Sequence, residues 1–150
     1  MEDTLYQQIL VPVDGSPTSS RALQEALMIA KQQKAQLALI HVLEDVWYVD
    51  NESYLNYSEL LKSIHDMGEK ILAQAKNAAE QAGIIATVKL LEARGERIAN
   101  LIISEAKRWP ADLIVIGTHG RSGFSHMLFG SVAEGVVRTS PVPVLLIRGE

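Results

Sequence analysis

Five short apolar runs, separated by stretches in which apolar residues recur every three or four positions, constrain this chain more than any other feature. The runs are Ile9–Val13, Gln36–Val42, Thr87–Glu92, Asp112–Gly117 and Pro143–Arg148. The first intervening stretch repeats at Ala22, Leu23, Ala26, Leu27 and Ala30. The second repeats at Leu60, Ile64, Met67, Ile71 and Ala78, and the third at Ile98, Leu101, Ile102 and Ala106. A short helix is expected over Gly130–Thr139. A near-continuous apolar run suits a strand buried on both faces, and the three-to-four spacing suits a helix buried on one. Strict alternation of the two predicts an α/β fold: an open five-stranded parallel sheet with helices on both faces. In such sheets ligands sit beyond the C-terminal ends of the strands, where the strand order reverses.

The punctuation agrees with this reading. Asp14-Gly15-Ser16-Pro17 closes the first run as a turn; Ser16 or Thr18 can cap the helix that follows, and Pro17 suits its first turn. Pro12 has no N–H to give a sheet, which is tolerable only near a strand end, where pairing stops. Gly83 falls where a helix C-terminus wants a left-handed residue, and Pro110 closes the third helix. The 150 residues suit a single domain covering the whole chain, with no internal repeat or linker. The one long irregular stretch is Glu44–Ser58, with Trp47, Tyr48, Tyr54 and Tyr57 among acids. It reads first as an ordinary packed loop, with a lid or a partner surface as alternatives.

Composition excludes several function classes. The net charge of −4 argues against a broad nucleic-acid or anionic-membrane surface. The absence of cysteine removes disulfides, thiolate metal sites and a cysteine nucleophile. No apolar stretch reaches the roughly 20 residues that span a bilayer, and the N-terminus has no apolar signal core. A soluble, cytoplasmic protein is expected.

Chemistry concentrates after the fourth run, in Gly117-Thr118-His119-Gly120-Arg121-Ser122-Gly123 and then Gly130-Ser131. The spacing is G-x2-G-x9-G-S. Neither G-x-G-x-x-G after the first strand nor G-x4-G-K-[ST] is present, so the two commonest phosphate loops are excluded. Gly117 and Gly120 allow close backbone approach or positive φ, and Gly123 tightens the same loop. Gly130 and Ser131 open a helix whose N–H groups, with the Ser131 hydroxyl, can donate to phosphate. Arg121 adds a charged donor. Asp14 suits ribose hydroxyls or a nucleotide-bound Mg2+. His41 reads as a strand-end packing residue and His65 as a polar-face residue. His119 and His126 lie in the glycine loop without metal-ligand spacing. No G-x-S-x-G elbow appears, so no catalytic residue and no resident metal site is assigned.

Gly117-x2-Gly120-x9-Gly130-Ser131, together with Ile9-Leu10-Val11-Pro12-Val13-Asp14-Gly15-Ser16, resembles the universal stress protein family, in particular its ATP-binding branch. The resemblance extends through His41-Val42, Ala111–Gly120 and Ser140–Ile147. It implies a Rossmann-like sheet with strand order 3-2-1-4-5. It implies that Pro12, Val13 and Asp14 line the adenosine side, with Asp14 on the ribose and Val42 against adenine. Gly117, Gly120, Gly130, Ser131 and Val132 would surround ribose and phosphates. The expected cofactor is ATP, with AMP or ADP as alternatives, accompanied by Mg2+. An apolar fifth strand at the sheet edge needs a cover, and the resemblance implies a homodimer through Val142–Ile147. The expected function is nucleotide binding in regulation or stress response. The alternatives are a slow ATPase or phosphotransferase, and a nucleotide-independent dimeric scaffold that uses residues 44–58.

Overall fold

A computed structural model describes residues 5–44, 57–119 and 130–149. Strands and helices alternate along them: β1 (Gln8–Pro12), α1 (Pro17–Gln33), β2 (Gln36–Leu43), α2 (Tyr57–Gln81), β3 (Ala86–Glu92), α3 (Ile98–Arg108), β4 (Leu113–Gly117), α4 (Ser131–Thr139) and β5 (Val144–Ile147). The sheet has five strands in the order β3-β2-β1-β4-β5, and every neighbouring pair is parallel. The predicted α/β sheet with helices on both faces is therefore what forms.

Alternation along the buried strands divides the core in two. Ile9, Val11, Leu37, Leu39, Leu113 and Val115 face α1 and α2, where they meet Leu23, Leu27, Ile71 and Leu72. Leu10, Ala38, Ile40, Ile114 and Ile116 face α3 and α4, where they meet Ile102, Ile103 and Val136. Each fully buried Leu or Ile contributes roughly 1.5–3 kcal/mol. These paired layers hold the central strands in register, from Gln8↔Gln36 to Pro12↔Ile40 on one side of β1 and at Ile9↔Leu113 on the other.

The ends of elements follow local chemistry. Pro12 is the last residue of β1, so its missing N–H falls at the strand end; the Val13 N–H makes one more bond, to the Ile40 carbonyl at 2.8 Å. Ser16 is the N-cap of α1: its hydroxyl accepts from the Ser19 N–H at 3.1 Å, with Pro17 opening the helix. Gly83, just past α2, has φ of +75°. Several boundaries differ from the sequence expectation by a residue: β1 runs Gln8–Pro12 rather than Ile9–Val13, β2 extends to Leu43 and α4 begins at Ser131. β3 begins one residue early, at Ala86, and β5 is trimmed to Val144–Ile147. Asp112 lies outside β4, because its carboxylate accepts the Gln7 and Gln8 N–H groups at 2.8 and 3.2 Å. That bond clamps the entry of β1 to the entry of β4. The Pro143 carbonyl still accepts from the Ile114 N–H at 3.0 Å.

α2 is the longest element, at 25 residues. At 1.5 Å per residue it runs about 38 Å, against about 26 Å for β2 beside it. Its first buried residue is Gly68, so the preceding turns project past the strand ends. Gly68 is the first point of close approach between α2 and the sheet: a Cβ there would lie 2.9 Å from His41 Cδ2 and Leu90 Cδ1. Most of the aromatic stretch, residues 45–56, lies outside the described residues, while Tyr57 and Ser58 are already helical. Among the described residues no helix is long and apolar enough to cross a membrane.

Candidate functional site: a cleft beyond the ends of β1 and β4

β1 and β4 are neighbours whose connections leave toward opposite faces of the sheet, α1 to one and α4 to the other. A crevice at their C-terminal ends is the geometric consequence. The structure has a cleft of about 860 Å³ there, lined by Pro12, Val13, Asp14, Val42, Gly117, Gly130, Ser131 and Val132. All the site residues expected from sequence that are described thus come together on one cleft. Gly120, Arg121 and Gly123 lie outside the described residues, as do Ser122, Ser125 and His126.

The β1 wall is a hydrogen-bonded turn. Asp14 Oδ1 accepts the Ser16 N–H at 2.9 Å, and the Asp14 N–H donates to Ser19 Oγ at 3.1 Å. Gly15 takes φ of +82° to complete the turn. These bonds fix the Asp14 carboxylate at the cleft wall. Asp14 is therefore both a turn residue and a cleft residue, two roles that the sequence set against each other.

The β4 wall is built differently from the sequence expectation. Gly117 is not in the left-handed region; its small size serves packing, because a Cβ would come within 2.7 Å of Thr18 Cγ2. The N–H of Gly130 is not available to a ligand, since it donates to the Thr118 carbonyl. What α4 presents instead is its first turn. Gly130 is the N-cap, at φ −74° and ψ 169°, and among the described residues no side chain caps the helix. The N–H groups of Ser131, Val132 and Ala133 have no partner within the helix, as in any first turn, and all three residues line the cleft. Among the described residues, a Cβ on Gly130 would meet only the Thr118 oxygen, at 3.4 Å.

Several lining residues were read from sequence as core or not singled out. His41 is buried, and its Nδ1–H donates to the Val13 carbonyl at 2.7 Å, tying the end of β2 to the end of β1. It packs as expected and also faces the cleft. Ile64 and Met67 wall the cleft from the projecting end of α2, and Ile98 and Ile102 wall it from α3. The turn chemistry that marked Ser16 could have found Ser19, which closes the Asp14 turn and also lines the cleft. Thr118 Oγ1 and His119 Nδ1 share a hydrogen bond of 3.0 Å at the cleft floor. Away from the cleft, Glu105 is buried between Lys89 and Arg108. Burial works to raise its pKa, but hydrogen bonds from Arg108 and Lys89, with their charges, hold it below its ordinary value.

A doubly wound sheet of order 3-2-1-4-5 with a cleft at its switch point defines a class of α/β folds whose usual ligand position is between β1 and β4. Within that class the assignment is specific: the Universal stress protein family profile matches residues 5–148, and the chain belongs to that family. It is 36% identical over 149 residues to Universal stress protein MJ0531 of Methanocaldococcus jannaschii, covering 97% of this chain and 84% of that protein. Universal stress protein UspA from Lactobacillus plantarum has the same fold, with a TM-score of 0.82 at 28% identity, covering 95% of this chain and 98% of that one. Two further structures are of complexes. A universal stress protein from Archaeoglobus fulgidus with dAMP is 26% identical, with a TM-score of 0.66 over 95% of this chain and 98% of that one. A universal stress protein with cAMP is 27% identical, with a TM-score of 0.71 over 95% and 97%.

Proposed function

We propose that this protein binds an adenine nucleotide in the β1–β4 cleft, as a regulatory member of the ATP-binding branch of its family. One observation carries the reading: the Asp14 carboxylate and the first turn of α4 line the same cleft, on walls built from the adjacent strands β1 and β4. A carboxylate accepts from ribose hydroxyls, and helix N–H groups donate to phosphate oxygens. The adenine end would lie toward Val42 and the apolar side chains around it, with Pro12 and Val13 beneath the sugar. Phosphates would take the N–H groups of Ser131, Val132 and Ala133 and the Ser131 hydroxyl. Gly120, Arg121 and Gly123 belong to the same proposed set through the glycine spacing. The dAMP and cAMP complexes of relatives support an adenine ligand.

The residues present suit ATP. The donors of α4 match a polyphosphate, and the missing Cβ of Gly130 leaves the approach open. Mg2+ bound to the phosphates would find Asp14 as its carboxylate partner. Nucleotide released from freshly purified protein should be identified as ATP, ADP or AMP by mass spectrometry. Calorimetry should show saturable binding of ATP; protein that takes up no adenine nucleotide at millimolar concentration would overturn the proposal.

We also propose a homodimer through β5. The strand ends the sheet, and Leu145 is 36% exposed on it. A strand that leaves N–H and C=O groups at an open edge is commonly paired or covered, and a second copy across a two-fold axis supplies an identical edge.

A further inference from the structure

α4 carries the first-turn N–H groups of the proposed phosphate site, so its placement decides whether they reach a ligand. It has nine residues, and only Ala133 and Val136 are buried. Its helical neighbour is α3, which is anchored by Ala99, Ile102, Ile103 and Ala106 in the core. The two helices touch at Gly135 and Ala99. A Cβ built on Gly135 would lie 2.7 Å from the Ala99 Cβ and, among the described residues, within 4 Å of nothing else outside its own helix.

We infer that the Gly135–Ala99 contact sets the depth of the α4 N-terminus in the cleft, and that Gly135 is a positioning residue for the phosphate end of the ligand. Carbon atoms in contact sit about 3.5–4.0 Å apart. An alanine at Gly135 therefore forces the helices apart by about 1 Å, because the opposing atom is a Cβ that cannot rotate away. The less anchored helix yields. Gly135 is one turn beyond Ser131, so displacing it moves Ser131, Val132 and Ala133 together. Asp14 and Val42, on the sheet side of the cleft, stay where they are. The contact thus acts on phosphate and leaves the nucleoside end unchanged. The inference rests on the proposed nucleotide reading.

The clash involves a single atom, so it can be undone from the other side. Calorimetry with AMP, ATP and adenosine as probes is run on the wild type, Gly135→Ala and the double variant Ala99→Gly/Gly135→Ala, with thermal unfolding of each. In Gly135→Ala, AMP and ATP affinity should fall about tenfold while adenosine affinity stays within about twofold, because a shift near 1 Å spoils aligned hydrogen bonds. The double variant should recover AMP affinity to within about threefold of wild type. Unchanged AMP affinity in Gly135→Ala, an equal loss for adenosine, or no recovery in the double variant overturns the inference and leaves the nucleotide reading intact. If Gly135→Ala does not fold, the double variant decides alone: it must fold and bind AMP like wild type, and failure to do so overturns the inference. A wild type that binds none of the three probes overturns the nucleotide reading and this inference with it.

Discussion

Gly130 shows how a missing side chain can be functional without any unusual backbone angle. Its φ and ψ of −74° and 169° are those of an ordinary helix N-cap, where the side-chain oxygen of serine, threonine, asparagine or aspartate would accept from a first-turn N–H. In the proposed site, glycine leaves those N–H groups to the phosphate. A serine introduced there would fit sterically and turn its hydroxyl onto the same donors. Gly130→Ser should therefore raise unfolding stability by a few tenths of a kcal/mol. It should also lower AMP affinity about tenfold, since ligand and cap compete for the same groups. Thermal unfolding and calorimetry on one sample read both effects, and the opposite signs are the test. Asp14 separates along similar lines. Asn in its place keeps an oxygen for the Ser16 N–H but removes the charge. Asp14→Asn should unfold like wild type and bind adenosine about tenfold more weakly, the loss of a charge-assisted bond. A variant that bound adenosine as tightly as wild type would remove Asp14 from the ribose.

At the scale of elements, α3 shows what sequence periodicity could and could not say. Ile98, Leu101, Ile102 and Ala106 marked a helix, because spacing reports a face. It does not report what the face covers, and Ile98 and Ile102 line the cleft. The projecting end of α2 was hidden for the same reason: Ile64 and Met67 continue the stripe of a core helix past the edge of the sheet. Asp14 and Gly130 were legible because turn and cap chemistry depends on residue type at fixed local positions. The strands were legible because burial on both faces leaves few choices of residue. α3 also carries the Glu105 clasp to Lys89 on β3. Its folded pKa lies below the ordinary carboxylate value. Its stabilisation is thus fully present above that ordinary value, about 4.3, and is lost as pH falls through the lower folded one. Glu105→Gln should cost about 2 kcal/mol at neutral pH, given one buried acceptor with two partly exposed partners. It should also flatten the loss of stability as pH falls below that ordinary value. Denaturant unfolding across that range checks both; a variant with the wild-type acid slope would show that the clasp contributes little.

For the whole molecule, strand order was the step that residues alone did not dictate. Apolar runs announce strands, and nothing within β1 or β4 names the other as neighbour; the order came from the family resemblance, and the sheet has it. The order leaves β5 at an edge, which makes assembly a property to test. Sedimentation should show a dimer, and Leu145→Asp should shift it toward monomer at micromolar concentration without loss of the fold. A monomeric wild type would end the β5 proposal. Nucleotide binding should survive in the monomer, because every proposed contact lies within one copy.

β1 meets β4 through Ile9↔Leu113 and Leu10↔Ile114, a pairing between residues about a hundred positions apart. The two halves of the cleft are therefore supplied by opposite ends of the chain: Asp14 comes early, Gly130 late. Neither end lines the cleft alone, so the proposed site exists only while β1 and β4 are paired. Under the proposed reading, bound nucleotide should therefore slow hydrogen exchange in β1 and β4 together, the two strands whose ends carry the cleft walls.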